Sequence, residues 1–249
     1  MLTFIGLGLY DERSITIEGR DALREADRVF AEFYTSTFVG ITVEDLEAYH
    51  NTEIEIRDRA GVEQHPEPIL DTATETDVAF LVAGDPMVST THTDLRLRAH
   101  ERGIDTRIVH GTTAQAAASS LTGLQNYRFG KATTIPFAYN DSDVPESVLD
   151  TIRENRERGL HTLCYLDIKA AEDRYMTAST AARRLAPELG ELLAVVVARA
   201  GSPDPLVVAD RLSALTEQEF GGPLHLLVVP GDLHHLEREA LSELAPPLF

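Results

Sequence analysis

Runs of apolar residues alternate with amphipathic segments along the whole chain. Most of the apolar runs end in small or turn-forming residues, as buried strands of an α/β sheet do. Strands are predicted over residues 2–6, 28–33, 53–56, 77–83, 105–110, 132–137, 160–168, 192–200 and 224–229. Helices are predicted over residues 15–26, from 42 onward, and over 61–73, 93–102, 113–124, 146–158, 177–185, 205–215 and 233–244. This alternation predicts an α/β protein with mostly parallel sheets.

The alternating pattern restarts after residue 112. We therefore predict two α/β domains, residues 1–112 and 113–249, which pack closely because no low-complexity linker separates them. Residues 138–145 are the most loop-like stretch of the chain.

Two glycine-bearing turns follow predicted strands. The first is Gly6-Leu7-Gly8-Leu9-Tyr10-Asp11, and the second is Gly84-Asp85-Pro86. Open α/β sheets place their ligands at the carboxyl ends of strands, so the turns suggest a site for a small polar molecule. A tight turn that needs glycine for steric reasons alone explains them equally well.

Neither turn matches a nucleotide-binding motif. The first lacks the third glycine of a dinucleotide fingerprint, and Asp11 would repel a pyrophosphate. The second is not followed by the Gly-Lys-Ser/Thr of a phosphate loop. Asp85 could accept hydrogen bonds from a ligand, or it could cap the helix that starts near His92. The hydroxyl-rich residues 89–91 could also cap that helix.

The sequence does not support metal binding, thiol catalysis or a serine nucleophile. Cys164 is the only cysteine and lies in an apolar run, so a structural zinc held by several thiolates is excluded and inert packing is favoured over catalysis. There is no His-Glu-x-x-His and no Gly-x-Ser-x-Gly. The adjacent His234 and His235 are expected to point apart on a helix. No metal site is expected, and no catalytic residue stands out.

Charge narrows the possible partners. Asp and Glu number 41 against 22 Lys and Arg, a net charge of −19, and the lysines are Lys131 and Lys169 alone. Such a surface repels phosphate backbones and disfavours nucleic acid. Self-repulsion at this charge also indicates a salt-rich cytoplasm, as in a halophilic archaeon. No apolar run reaches the roughly 20 residues of a membrane span, and no secretory leader is recognisable, so a cytoplasmic protein is expected.

A series of short motifs, in order over nearly the whole chain, resembles the diphthine synthase family. That family belongs to the tetrapyrrole-methylase type of S-adenosylmethionine-dependent methyltransferases. Each motif is weak alone, but the series is highly specific. The matching segments are residues 4–13, 30–36, 84–86 with 90–92, 158–163, 166–170, 175–178, 198–201 and 229–231.

The resemblance implies a fold and a reaction. Two α/β domains would hold S-adenosylmethionine in the cleft between them, and the protein would be a homodimer. Methyl groups, three in the archaeal enzymes, would pass to the amino group of a 3-amino-3-carboxypropyl-histidine in translation elongation factor 2. The products would be diphthine, an intermediate on the way to diphthamide, and S-adenosylhomocysteine.

The resemblance also assigns cofactor contacts by position. Around residues 111–114 this chain has one residue more before Leu124 than the family pattern. Two alignments, one position apart, therefore stay open there. The implied contacts are Leu9, Asp85, Val88, Thr113, Ala114, Leu166, Ala200 and His225.

Two alternatives stay open on the sequence. A methylase of the same fold could act on a tetrapyrrole or corrinoid, although such proteins commonly continue the first turn as Gly-Pro-Gly-Asp where this chain has Gly8-Leu9-Tyr10-Asp11. A non-catalytic module that binds the same cofactor and docks on a protein partner would need no signature nucleophile either.

Overall fold

The structure, a computed structural model, describes residues 1–38, 40–138 and 143–248. It divides into two units, residues 1–113 with 170–172 and residues 114–169 with 173–249. Half of the loop predicted over residues 138–145 falls on residues 139–142, which lie outside the described residues.

The apolar runs of the first unit form a five-stranded sheet within the described residues. Its strands are β1 (Leu2–Gly6), β2 (Arg28–Glu32), β3 (Glu55–Ile56), β4 (Val78–Val82) and β5 (Thr106–Val109). They lie in the order β3-β2-β4-β1-β5 and every pair is parallel, as predicted. Because the strands are parallel, the carboxyl ends of β1, β4 and β5 share one edge.

Helices flank this sheet. They are α1 (Ile17–Glu25), α2 (Val43–His50), α3 (Arg59–Glu63), α4 (Glu67–Glu75) and α5 (His92–Glu101). The side chains of β1 alternate between two apolar layers: Leu2 and Phe4 join one, and Ile5 joins the other. Both faces of the sheet are therefore buried, as its continuous apolar runs require.

The structure confirms one helix start and corrects two details. Thr42 caps α2 in a reciprocal capping box, as predicted. The single helix predicted over residues 61–73 is wrong, because the chain breaks at Pro66 into α3 and α4. The predicted hydroxyl cap of α5 is also wrong: the Thr91 hydroxyl donates to Glu63 Oε1 at 2.9 Å and makes no cap hydrogen bond.

The second unit contains its own helices and strands. The helices are α6 (Ala114–Thr122), α7 (Glu146–Glu157), α8 (Ala178–Leu189), α9 (Leu212–Leu215) and α10 (His235–Leu244). The strands are β6 (Thr133–Ile135), β7 (Thr162–Leu166), β8 (Ile168–Lys169), β9 (Arg174–Tyr175), β10 (Leu193–Ala198), β11 (Leu206–Arg211) and β12 (His225–Val229). Strands β8 and β9 form a separate antiparallel pair.

The larger sheet of this unit is mixed, so the prediction of mostly parallel sheets is wrong here. The order is β11-β10-β12-β7-β6, and only the β6–β7 pair is parallel among the described strands. The connection between β10 and β11, residues 199–205, is shorter than the dozen or so residues that a parallel crossover needs. An antiparallel return is the arrangement that this connection allows.

The helix predicted over residues 205–215 is also wrong in its larger part. Residues 206–211 form β11, and only Leu212–Leu215 are helical. The β-branched Val207 and Val208 lie opposite Val197 and Val196 of β10, where cross-strand packing outweighs the helical spacing of the apolar residues.

Cys164 lies inside this second sheet. Its side chain is fully buried, and burial raises the pKa of the thiol to about 12. A reactive thiolate is therefore disfavoured near neutral pH, in keeping with the packing role expected from the sequence.

Candidate functional site

The two glycine-bearing turns of the first unit meet at the carboxyl edge of its sheet. Gly8 N–H donates to the carbonyl of Gly84 at 3.2 Å, and Gly84 N–H donates back to the carbonyl of Gly8 at 2.7 Å. This reciprocal pair joins the segment after β1 to the segment after β4.

A third segment, which follows β5, lies against both turns. A Cβ atom added to Gly111 would stand 2.2 Å from the carbonyl oxygen of Gly84, and one added to Gly6 would stand 2.5 Å from Gly111 N. Only glycine permits such close backbone contact. An added Cβ on Gly84, by contrast, meets no atom within 4 Å, so open space lies over this residue.

Asp85 joins two of these segments, the one after β4 and the one after β5. Its side chain is buried, and Oδ1 accepts a hydrogen bond from Met87 N–H at 2.9 Å. Its Oδ2 lies 2.7 Å from His110 Nδ1 and 3.3 Å from Gly111 N, both in the segment after β5. Of the two roles considered for Asp85, capping α5 is not observed, because Thr91 is the N-cap residue of that helix.

Four of the eight sequence-predicted residues belong to this first-unit cluster or its loops. Leu9 follows Gly8 and is half-buried, and Val88 lies in the loop after β4 with its backbone N–H on the carbonyl of Asp85 at 3.4 Å. Thr113 lies two residues beyond Gly111. Val88 is exposed, so it presents apolar surface to solvent.

The other four residues belong to the second unit. Strand pairing sets Leu226 opposite Tyr165 and His225 opposite Ala198. Leu166, Ala200 and His225 therefore lie at the same edge of the mixed sheet, where β7 and β10 end and β12 begins. Ala114 starts α6 and packs, like Ala200, against the apolar cluster on one face of that sheet.

Hydrogen bonds fix the ring of His225. Nδ1 accepts from Ala178 N–H at 3.1 Å, and Nε2 donates to the carbonyl of Gly222 at 2.9 Å. Burial, and secondarily the charge of Arg199, lower the pKa of His225, although its hydrogen bonds oppose the shift. The ring is therefore neutral at neutral pH, with both nitrogens engaged by the fold.

Three loops at these two edges hold a residue other than glycine at positive φ. The residues are Tyr10 at 87°, Ser89 at 57° and Arg199 at 53°. Side chains rarely adopt this conformation, and such strained residues cluster at ligand sites. Arg199 is held in place by a hydrogen bond from Nη1 to the carbonyl of Phe220 at 2.7 Å.

Sequence reasoning missed two features of the first-unit cluster. Gly111 carried no motif that marked its contact with Gly6 and Gly84, and His110 was not singled out among the nine histidines. Its position directly after a strand that ends beside two glycine turns is the signal that could have identified it.

The adjacent histidines at the start of α10 differ from expectation, because only His235 is helical and His234 is the N-cap residue with an extended backbone. The rings of His234 and His235 do not point apart: their centroids lie 4.0 Å from each other. Over residues 1–38, 40–138 and 143–248, no group of three or more His, Cys, Asp or Glu side chains is arranged to hold a metal ion. No helix among the described residues is long and apolar enough to cross a bilayer.

Comparison with known proteins shows the class to which this chain belongs. Residues 1–216 match the family of tetrapyrrole (corrin/porphyrin) methylases. The chain also resembles particular members over almost its whole length. It is 69% identical to the diphthine synthase of Halorubrum lacusprofundi, covering 98% of this chain and 97% of that protein. It is 50% identical to the diphthine synthase of Methanocella arvoryzae, covering 98% of both.

A crystal structure of a diphthine synthase gives a TM-score of 0.92 at 38% identity, over 99% of this chain and 96% of the other. The chain belongs to the tetrapyrrole methylase family and, within it, to the diphthine synthases. It is thus an S-adenosylmethionine-dependent methyltransferase of diphthamide biosynthesis, and the non-catalytic alternative is set aside.

Proposed function

We propose that the chain methylates the amino group of a 3-amino-3-carboxypropyl-histidine in translation elongation factor 2, giving diphthine. S-adenosylmethionine is the methyl donor, and S-adenosylhomocysteine is the second product. The observation that carries this proposal is the 69% identity to a diphthine synthase over 98% of the chain. The alternative of a tetrapyrrole acceptor is less well supported, because the matched relatives of high identity are diphthine synthases.

The residues of the first unit fit the proposed cofactor. Open space over Gly84 leaves room for a ligand beside backbone N–H and C=O groups. Leu9, next to Gly8, and Val88, in the loop after Gly84, offer apolar surface. The carboxylate of Asp85 and the net charge of −19 suit a cation. When bound, the cofactor supplies an electrophilic methyl carbon on a positively charged sulfur.

From the resemblance we assign four cofactor contacts to each unit of the chain. Leu9, Asp85, Val88 and Thr113 would contribute from the first set of loops. Ala114, Leu166, Ala200 and His225 would contribute from the second. Because His225 uses both ring nitrogens within the fold, its contact would be made by the ring edge or the backbone.

In this reaction the chain must orient the methyl donor and the acceptor and must exclude water from the site. A methyl transfer needs the acceptor nitrogen in line with the donor carbon, which rigid loops achieve better than mobile ones. Two features supply that rigidity. They are the close backbone contacts of Gly6, Gly84 and Gly111 and the hydrogen bonds of Asp85. A cytoplasmic homodimer completes the proposal and rests on the resemblance alone.

The test is methylation of the acceptor itself. Purified protein and S-adenosylmethionine are incubated in high salt with archaeal elongation factor 2 that bears the aminocarboxypropyl histidine. The intact mass of the factor should rise by up to three methyl increments. Elongation factor 2 with an unmodified histidine is the control and should gain none. No gain on the modified factor would contradict the proposal, as would methylation of an added tetrapyrrole in its place.

A further inference from the structure

His110 is held by a buried carboxylate yet remains open to solvent. Its Nδ1 lies 2.7 Å from Oδ2 of Asp85, whose side chain is 4% exposed, whereas the side chain of His110 is 76% exposed. The same oxygen also accepts a hydrogen bond from Gly111 N–H at 3.3 Å. The ring therefore has one side fixed to the fold and the other side available.

The carboxylate determines which ring nitrogen carries the proton. An ionised carboxylate only accepts hydrogen bonds, so Nδ1 must be the donor. In the neutral ring this leaves Nε2 with a lone pair. A buried Asp that fixes the tautomer of a histidine in this way is the arrangement that makes histidine a general base in acyl-transfer enzymes.

The pair also lies where a base would be useful. His110 follows β5 directly, and the adjacent Gly111 stands against Gly6 and Gly84, the glycines of the proposed cofactor loops. An amine acceptor is protonated near neutral pH, so its nitrogen must lose a proton before it can attack a methyl carbon.

We propose that His110, oriented by Asp85, is the general base for the acceptor amine; this inference rests on the proposed function. Nε2 of His110 takes a proton from the acceptor ammonium. The freed lone pair forms the N–C bond to the methyl group while the S–C bond breaks, and its electron pair stays on sulfur. His110 then releases the proton to solvent. The methylated ammonium is deprotonated in the same way before each further transfer.

Two variants separate a base from a structural support. His110→Ala removes the ring, and His110→Asn removes the base but keeps an N–H donor near the position of Nδ1. Both should bind S-adenosylmethionine within about threefold of wild type by calorimetry, a change under 1 kcal/mol. Both should lower kcat for the first methyl transfer about 100-fold or more, within the usual contribution of a general base. Added imidazole should restore about tenfold of the loss in His110→Ala.

The matched control is His65→Ala, which removes another exposed histidine of the first unit and should leave kcat unchanged. A kcat for His110→Asn near that of wild type would overturn the proposal, because the hydrogen bond to Asp85 alone would then suffice. A loss in His110→Ala that imidazole does not restore would overturn it as well.

Nitrogen NMR of histidine-labelled protein provides a readout independent of turnover. The proposal expects His110 to carry its proton on Nδ1 when neutral, and a proton on Nε2 would contradict it. If wild-type protein methylates no acceptor, the proposed function fails, and the NMR result still decides how Asp85 orients the ring.

Discussion

Gly111 shows how much of the site depends on backbone atoms alone. It has no side chain to bind or react, yet an added Cβ would fall 2.2 Å from the carbonyl oxygen of Gly84. That neighbour is itself held by Gly8 through two backbone hydrogen bonds, so it cannot move aside without breaking them.

Gly111→Ala should therefore lower the free energy of unfolding by about 1–3 kcal/mol, the usual cost of overpacking. It should also weaken S-adenosylmethionine binding, because the loops over which the cofactor is proposed to lie must separate. Denaturant unfolding and calorimetry measure the two effects. Gly222→Ala is the control for stability, since an added Cβ there meets nothing within 4 Å. Equal stability of the two variants would contradict this account.

The sequence predicts some residues of the site and not others for a physical reason. Gly8 and Gly84 lie in recognisable turns, each with a positive φ, 75° and 80° respectively. The role of Asp85 was ambiguous, because its partners His110 and Gly111 are more than twenty residues away and no local spacing reveals them. Long-range hydrogen bonds of this kind become visible only once the strands are assembled.

At the scale of elements, Glu237 joins α10 to the segments around it. Its side chain is fully buried and accepts hydrogen bonds from Gln125 N–H at 2.9 Å and His234 N–H at 2.8 Å. Arg128 Nη1 at 3.0 Å and His161 Nε2 at 2.9 Å complete the set. Burial acts to raise the pKa of Glu237, but the hydrogen bonds from Gln125, His234 and His161 outweigh it and the net shift is downward.

Glu237→Leu should lower the free energy of unfolding by about 3–5 kcal/mol, because it leaves buried donors without a partner. The folded-state pKa of Glu237 is below its ordinary value, so its contribution is present above that value and is lost as pH falls through the folded pKa. Wild type should thus lose this stabilisation in acid, and the variant has none to lose.

Denaturant unfolding in high salt at neutral and acidic pH measures both effects. The control is Glu239→Leu, an exposed position on the same helix, which should change stability by about 0.5 kcal/mol or less. A cost for Glu237→Leu no greater than that of the control would show that the network contributes little.

Element types were predictable where local pattern and tertiary packing agree. The continuous apolar strands β1 and β4 are fully buried, and the sequence predicts them well. β11 was missed because Leu206, Ala209 and Leu212 also have helical spacing, and only pairing with β10 decides in favour of a strand. Strand direction in the second sheet likewise depends on the short connection after β10.

At the scale of the whole molecule, the acidic composition and the source organisms of the relatives point to the same salt-rich environment. The excess of 41 acidic over 22 basic residues predicted a salt-rich cell interior. Proteins 69% and 66% identical to this chain come from the halophilic archaea Halorubrum lacusprofundi and Halobacterium salinarum. The net charge indicates only the salt concentration around the protein. The reaction is indicated by the ordered series of motifs and not by composition.

The central proposal is that the loops at the carboxyl edge of the first sheet bind a sulfonium methyl donor. A crystal structure grown with S-adenosylhomocysteine in high salt tests it most directly. We expect density for the ligand against Leu9, Asp85 and Thr113 of these loops, and the resemblance adds Leu166, Ala200 and His225 to the expected contacts. Density elsewhere on the protein, with these loops empty, would contradict the account.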